Sequence, residues 1–366
     1  MIYNERLKQL LAYLEKEKLQ AAMITSPTNI YFLTGFYADP HERFMALFLN
    51  ASQGHVQLFV PSLDLESAEA KAQGVDQIIP VSDTDNPYQV VREQIAGGFN
   101  QLGVEKKGLS LFQAESLQEV YPGVKFSDVE AYITSMRLIK SKEDIQIVRR
   151  AIEVVENVLQ HGVSKVAPGV TELEITAELE YQMKVLGADR PAFSTIVLSG
   201  AQSALPHGRP GTKKIESGEL LLFDLGVFVD GYCSDITRTF VVGEATAEQR
   251  KMYEAVRVGN EKAIQAVADG KPIGLLDQAA RAHIEAEGLG QYFIHRVGHG
   301  LGLDVHEAPS IHSQNEMLMQ PGFLFTIEPG VYIPGVGGVR IEDDVYIGED
   351  GKAEVLTSYP KELKEL

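Results

Sequence analysis

Two carboxylates interrupt an apolar hairpin in the stretch LLFDLGVFVDGYCSDITRTF, residues 221–240. Asp224 and Asp235 occupy positions where strands bury surface, and acidic side chains are almost never fully buried unless paired. Asp230-Gly231 carries the pattern of a two-residue type I′ turn. That turn sets the register: Val229 faces Tyr232, Asp224 faces Thr237, and Asp235 faces Gly226. Side chains alternate between faces, so Asp235 shares a face with Thr237 and lies diagonally across from Asp224. Diagonal neighbours sit roughly 7–8 Å apart at the backbone, within reach of a common ion. Two bare carboxylates there would repel and raise each other's pKa, and a cation between them resolves the conflict. A lone Asp in a strand more often faces solvent, and two on one face weaken that reading.

More ligand-type residues follow. FIHRVGHGLGLDVHE, residues 293–307, places His295, His299 and His306 among glycines, which let backbone and ligand approach closely. The stretch is not an HExxH zinc helix, because Ser310 stands where the second histidine belongs, and it lacks the spacing and lysine of a phosphate-binding loop. Glu328 ends the apolar run FTIEPGVYI, and Glu342 lies in GVRIEDDVYI with Arg340 two residues earlier on the same face. Either Glu alone reads as a surface or capping residue. Together Asp224, Asp235, His299, Glu328 and Glu342 make four carboxylates and one imidazole. Such a set suits a pair of Mn²⁺ ions, with Co²⁺, Zn²⁺ or Fe²⁺ as alternatives, better than a thiolate-type structural zinc. Two ions roughly 3.5–4 Å apart can share a hydroxide and polarise a carbonyl.

The elements that must carry these residues follow from pattern and composition. The 366 residues suggest two domains. Residues 1–132 alternate short apolar runs (AAMIT, FMALFLN, HVQLFVP, DQIIPV and LSLF at 109–112) with helical stretches, an α/β pattern. Leu7, Leu10, Leu11 and Leu14 follow the spacing of an amphipathic helix. From residue 133 the pattern turns to longer helices: Ser141 with Asp144, and Thr171 with Glu174, read as helix starts. The second domain, 133–366, carries a hint of duplication. Pro168 and Pro272 each open a turn and helix, and 224 − 168 and 328 − 272 both give 56, which puts Asp224 and Glu328 in equivalent places. A net charge of −18 with no basic patch argues against nucleic acid. No run reaches the roughly 18 apolar residues of a membrane span. A single cysteine, Cys233, and no signal peptide at the start point to a reducing, cytoplasmic setting.

The ordered series LLFDLG, GYCSDITRT, GHGLGLDVHE, TIEPGVY and VRIED resembles the metal motifs of the M24 "pita-bread" metallopeptidases, and SALPHGRP at 203–210 resembles a motif of their proline-specific branch. The resemblance implies a two-domain α/β architecture: an N-terminal, creatinase-like α/β domain and a C-terminal α+β pita-bread domain. It implies that Asp235 and Glu342 bridge two metals, that Asp224 chelates one, and that His299 with Glu328 holds the other. A bridging hydroxide would attack the carbonyl before proline, and Glu328 would pass its proton to the leaving nitrogen. His207 and His306 would orient the substrate and stabilise the oxyanion, with Arg340 fixing carboxylate orientation. The branch looks most like bacterial Xaa-Pro dipeptidases (prolidases), homodimers whose substrates carry proline at the second position. Two other readings stand beside it: an Xaa-Pro aminopeptidase acting on longer peptides, and a non-catalytic binding module on the same scaffold. The charged loop ADPHERF, with Asp39, His41, Glu42 and Arg43, is the candidate for a segment that blocks longer chains.

Overall fold

The computed structural model describes residues 2–95 and 98–366. The chain divides into two compact units, Met1–Arg137 and Leu138–Leu366. The division falls inside helix Glu130–Leu138, as does the 132/133 boundary read from the sequence.

The first unit is built on a mixed six-stranded sheet. Its order is Gln77–Val81, His55–Pro61, Ala46–Asn50, Ala21–Ile24, Gln101–Val104, Lys125–Asp128. Ala21–Ile24 runs antiparallel to Ala46–Asn50 and parallel to Gln101–Val104. The parallel pairs need crossovers, which helices such as Leu111–Val120 supply. Met23, Phe48, Phe59, Leu102 and Leu117 share one core. Helix Ile2–Lys16 buries Leu7, Leu10 and Leu14 of the stripe its spacing predicts, while Leu11 is half-buried. Residues 109–112, expected as a strand, are not one. Ser110 caps helix Leu111–Val120 through a capping box with Gln113, and Leu111 and Phe112 stay exposed. The strand is Gln101–Val104 instead. Four apolar letters carry no period, whereas a Ser-x-x-Gln cap fixes a helix start.

The second unit repeats one plan. Helices Lys142–Ser164 and Glu172–Val185 precede a three-stranded sheet in the order Ile236–Val241, Leu220–Leu225, Ile196–Ser199. Helices Ala247–Gln265 and Gly274–Ala286 precede a five-stranded sheet in the order Glu307–Ile311, Gly298–Gly300, Leu324–Ile327, Asp343–Ile347, Ala353–Val355. Ser141 with Asp144 and Thr171 with Glu174 form capping boxes at the first two helices. Each half has its own core: Val155, Leu159, Leu179 and Phe223 in one, Met252, Val256, Ala280 and Phe325 in the other. Burying each such aliphatic or Phe side chain stabilises by about 1.5–3 kcal/mol. Those cores press helices onto sheets and leave Asp224 near the end of one central strand and Glu328 just past the end of the other.

The opening hairpin keeps the register its turn dictates. Asp230 and Gly231 take φ of 48° and 81°, as a type I′ turn requires. Val229 faces Tyr232, and Thr237 faces Asp224. The hairpin is not one continuous ladder, however. Val227–Val229 and Tyr232–Cys233 belong to a different sheet from Leu220–Leu225 and Ile236–Val241. The switch comes at Gly226, where an added Cβ would lie 2.2 Å from the Ser234 carbonyl oxygen. Only glycine lets the two backbones approach that closely. Asp235 therefore sits in the step between two short strands rather than inside one.

Candidate metal centre

Asp235, His299 and Glu342 offer ligand atoms that all lie within 4.8 Å of one another, and all three residues are buried. They come from both halves of the second unit. Asp235 leaves the hairpin at its kink, with its backbone N–H held by Asp344 Oδ2 at 3.1 Å. Glu342 precedes strand Asp343–Ile347; its N–H donates to the Thr237 carbonyl (3.1 Å), and its Oε2 accepts from the Thr237 hydroxyl (2.6 Å).

His299 sits in the short strand Gly298–Gly300. A Cβ on Gly298 or Gly300 would come within 2.0 Å of the Thr326 or Ala308 carbonyl oxygen, so the neighbouring strands can close on the histidine only because both flanks are glycine. Its N–H donates to Thr326 Oγ1 at 3.1 Å. The ring's Nδ1 lies 3.1 Å from the Gly300 carbonyl, which can only accept, so Nδ1 carries the proton. That leaves Nε2 as the nitrogen facing the carboxylates, the orientation a metal-ligating histidine needs. Nε2 lies 3.3 Å from Glu328 Oε1 and 3.9 Å from Asp235 Oδ2.

The charge balance of this cluster is poor without a cation. Burial, then the Glu342 and Asp224 charges, push the Asp235 carboxyl well above the ordinary range. Burial, then Glu328 and Asp224, do the same to Glu342. Asp235 Oδ1 and Glu342 Oε1 are buried and have no hydrogen-bond partner among the described residues. An unsatisfied buried polar atom costs about 1–3 kcal/mol, more when charged. Hard oxygen donors with open lone pairs beside one imidazole fit a divalent ion such as Mn²⁺.

Asp224 and Glu328 complete the acidic lining in different ways. Asp224 does not join the three-residue cluster. Its Oδ2 accepts from Arg340 Nη2, while its charge still acts on Asp235 and Glu342. Burial raises the Asp224 carboxyl, with Arg340 opposing. Burial also works against the Glu328 carboxylate, but hydrogen bonding and charge from His299, then His295 and Arg340, outweigh it and hold Glu328 at about 2.

Arg340 is fully engaged. Nε donates to Thr237 Oγ1 (3.2 Å) and Nη1 to the Tyr332 hydroxyl (2.7 Å). The Tyr332 hydroxyl pairs in turn with His295 Nε2 at 3.0 Å, and His295 Nδ1 lies 2.8 Å from the Arg296 carbonyl. Burial raises the Tyr332 pKa to about 12 and lowers that of His295.

His306 lies edge-on to His299, ring centres 4.3 Å apart. It is exposed at the surface, yet partial covering, then the His299 and Arg296 charges, lower its pKa. His207 stands on the exposed loop after Gly200–Ala204, near enough for its charge to act on His306. Cys233 is buried, its N–H spent on the Gly302 carbonyl. In the first unit, Arg43 of the ADPHERF loop donates to Asp83 at 2.8 Å, and His41 Nδ1 lies 3.6 Å from Asp39.

The turn placed Thr237 opposite Asp224, but its bonds to Glu342 and Arg340 were not legible in the sequence, nor were Thr326, Tyr332 and the pairing of Arg340 with Asp224. Thr326 faces Asp344 across its ladder. The other contacts join segments whose pairing no local pattern fixes.

The chain is similar to known proteins over nearly its whole length. Residues 146–349 match the model of metallopeptidase family M24, and residues 6–139 match the creatinase/prolidase N-terminal domain. Bacillus subtilis (strain 168) YkvY is 40% identical over 362 residues, 98% of this chain and 99% of that protein. The solved Xaa-Pro dipeptidase from Bacillus anthracis superposes with a TM-score of 0.92 at 32% identity, covering 100% of both chains. The solved prolidase from Pyrococcus furiosus superposes with a TM-score of 0.86 at 35% identity, covering 96% of this chain and 99% of that one.

Proposed function

The chain belongs to metallopeptidase family M24, with a creatinase/prolidase N-terminal domain ahead of its pita-bread domain, and from that premise we propose that it is a dinuclear Xaa-Pro dipeptidase. The observation that carries the reading is the pair of orphaned buried oxygens, Asp235 Oδ1 and Glu342 Oε1, aimed into one cluster with His299. Asp224, Asp235, His299, Glu328 and Glu342 would hold two divalent ions, Mn²⁺ first and Co²⁺, Zn²⁺ or Fe²⁺ as alternatives. Such a pair, when bound, supplies a water acidified to near neutrality and a Lewis acid for the carbonyl.

The rest falls to this chain's own side chains. Glu328, held ionised, accepts a proton at Oε1 and passes it to the departing proline nitrogen. His306 and His207 donate hydrogen bonds to the carbonyl oxygen as negative charge develops on it. Arg340 holds Asp224 and Thr237 in place, and Thr237 holds Glu342. Proline at the second position removes the N–H that most peptidases grip, so this bond needs a site that holds carbonyl and carboxylate instead. Among the described residues no helix is long and apolar enough to cross a membrane. A cytoplasmic homodimer belongs to the same proposal. A role for the ADPHERF loop in excluding longer chains belongs to the same proposal.

Protein reconstituted with Mn²⁺ and offered Ala-Pro, Leu-Pro and an Xaa-Pro-Xaa tripeptide tests the reading. Proline release from the dipeptides is expected. Cleavage of the tripeptide alone would transfer the protein to the Xaa-Pro aminopeptidases, and cleavage of neither would support the binding module.

A further inference from the structure

Arg238 is among the largest fully buried side chains. A guanidinium out of water needs its donors matched. Nη1 donates to the carbonyls of Thr237 (2.9 Å) and Glu342. Nη2 donates to Asp343 Oδ1 (2.9 Å) and to the Tyr359 carbonyl (2.8 Å). Nε reaches the carbonyls of Tyr359 and Pro360, each at 3.2 Å.

The Asp343 carboxylate is satisfied from the same side: it accepts from Thr357 Oγ1 and from Lys361 Nζ, each at 2.8 Å. Lys361 Nζ also donates to Asn260 Oδ1 at 2.9 Å, and Asn260 Nδ2 donates to the Ile327 carbonyl at 2.9 Å.

The ends of this network all abut the metal centre. Thr237 faces Asp224 and donates to Glu342. The Glu342 carbonyl is itself a partner, and Ile327 precedes Glu328. The network therefore joins the strand after Asp235 to the strands that adjoin Glu328 and Glu342, through a segment, Thr357–Lys361, that contributes no ligand. Carboxylates that repel each other need an outside constraint to stay close in the metal-free protein.

We propose that Arg238, Asp343 and Lys361 form a clamp through which the segment Thr357–Lys361 sets the spacing of the carboxylates of the two halves, and with it the affinity for the divalent cation. The inference rests on the metal-centre reading above. These are positioning residues, since none of them is placed to touch substrate or ion. A purely structural network would alter the melting temperature and leave the affinity alone.

The test is calorimetric titration of metal-free, full-length protein with Mn²⁺, well below its unfolding transition. Lys361→Met is expected to weaken Mn²⁺ binding by about tenfold or more, the usual consequence of removing an outer support. Lys361→Arg should recover most of that loss, and Arg238→Lys should weaken binding as well. A dissociation constant for Lys361→Met within about twofold of the wild type, whatever its melting temperature, would overturn the clamp. If Lys361→Met does not fold, Thr357→Val, which removes one hydrogen bond to Asp343, is judged by the same criterion. A wild type that binds no Mn²⁺ overturns the metal-centre reading itself, and the clamp with it.

Discussion

Glu342→Gln should make the metal-free protein more stable while abolishing its response to metal. Glu342 and Asp235 place ligand oxygens within 4.8 Å of each other in a buried site. Two unit charges at that separation repel by about 3.5 kcal/mol at an effective dielectric of 20. Part of that is already relieved, because burial and neighbouring charge push both carboxyls upward. At pH 8 the amide should therefore gain about 1–3 kcal/mol. For a unit of this size that corresponds to roughly 2–4 °C per kcal/mol, or about 2–12 °C in all. The amide keeps an oxygen for the Thr237 hydroxyl and presents N–H to Asp235, so no cavity is made. Chelated wild type and variant would be melted at pH 8, then again with Mn²⁺ at about a hundred times its dissociation constant. Wild type should gain about 2.7 kcal/mol from that ligand excess, and the variant nearly nothing. A variant that melts below the wild type without metal, or that gains equally from Mn²⁺, would refute the reasoning.

Three further outcomes are expected. Because the Asp235 and Glu342 pKa values are raised on folding, the native metal-free state holds protons that the unfolded chain has released above about pH 4. Its stability should then fall as pH rises through the raised native values, while Mn²⁺ affinity rises over the same range; chelated melts at pH 5 and pH 8 check the sign, and a more stable protein at pH 8 would contradict it. Lys140 and Glu307 form a buried ion pair at 3.4 Å, and Glu307 also accepts the Leu303 and Asp304 N–H groups, tying down the loop that carries His306. Lys140→Met should cost about 3–5 kcal/mol in denaturant unfolding, and a loss below about 1 kcal/mol would refute that role. His306→Gln should lower kcat by about 10²–10³ with metal content unchanged, and an unaltered kcat would remove His306 from the chemistry.

Local chemistry was legible in the sequence and long-range chemistry was not. Asp230-Gly231 fixed the hairpin register through to Asp224 and Thr237, because a two-residue turn leaves no freedom in the pairing. Capping boxes at Ser141 and Thr171 located two helix starts because their hydrogen bonds span three residues. The run LSLF misled because it has no periodicity, and Ser110 with Gln113 decided the matter. Gly226 hid the break between sheets: a glycine in a strand signals close backbone approach, but the partner at Ser234 is visible only in three dimensions. The capture of Asp224 by Arg340 depends on how two separately packed halves meet, whereas Tyr332 and Arg340 share one hairpin and His295 reaches them within the same half. No spacing encodes that.

An anomalous difference map from crystals grown with Mn²⁺ tests the central claim most directly. The account predicts two peaks roughly 3.5–4 Å apart, lined by Asp224, Asp235, His299, Glu328 and Glu342, with Asp224 kept in its orientation by Arg340. No peak, or a peak that leaves the Asp235 and Glu342 oxygens unbound, would contradict it.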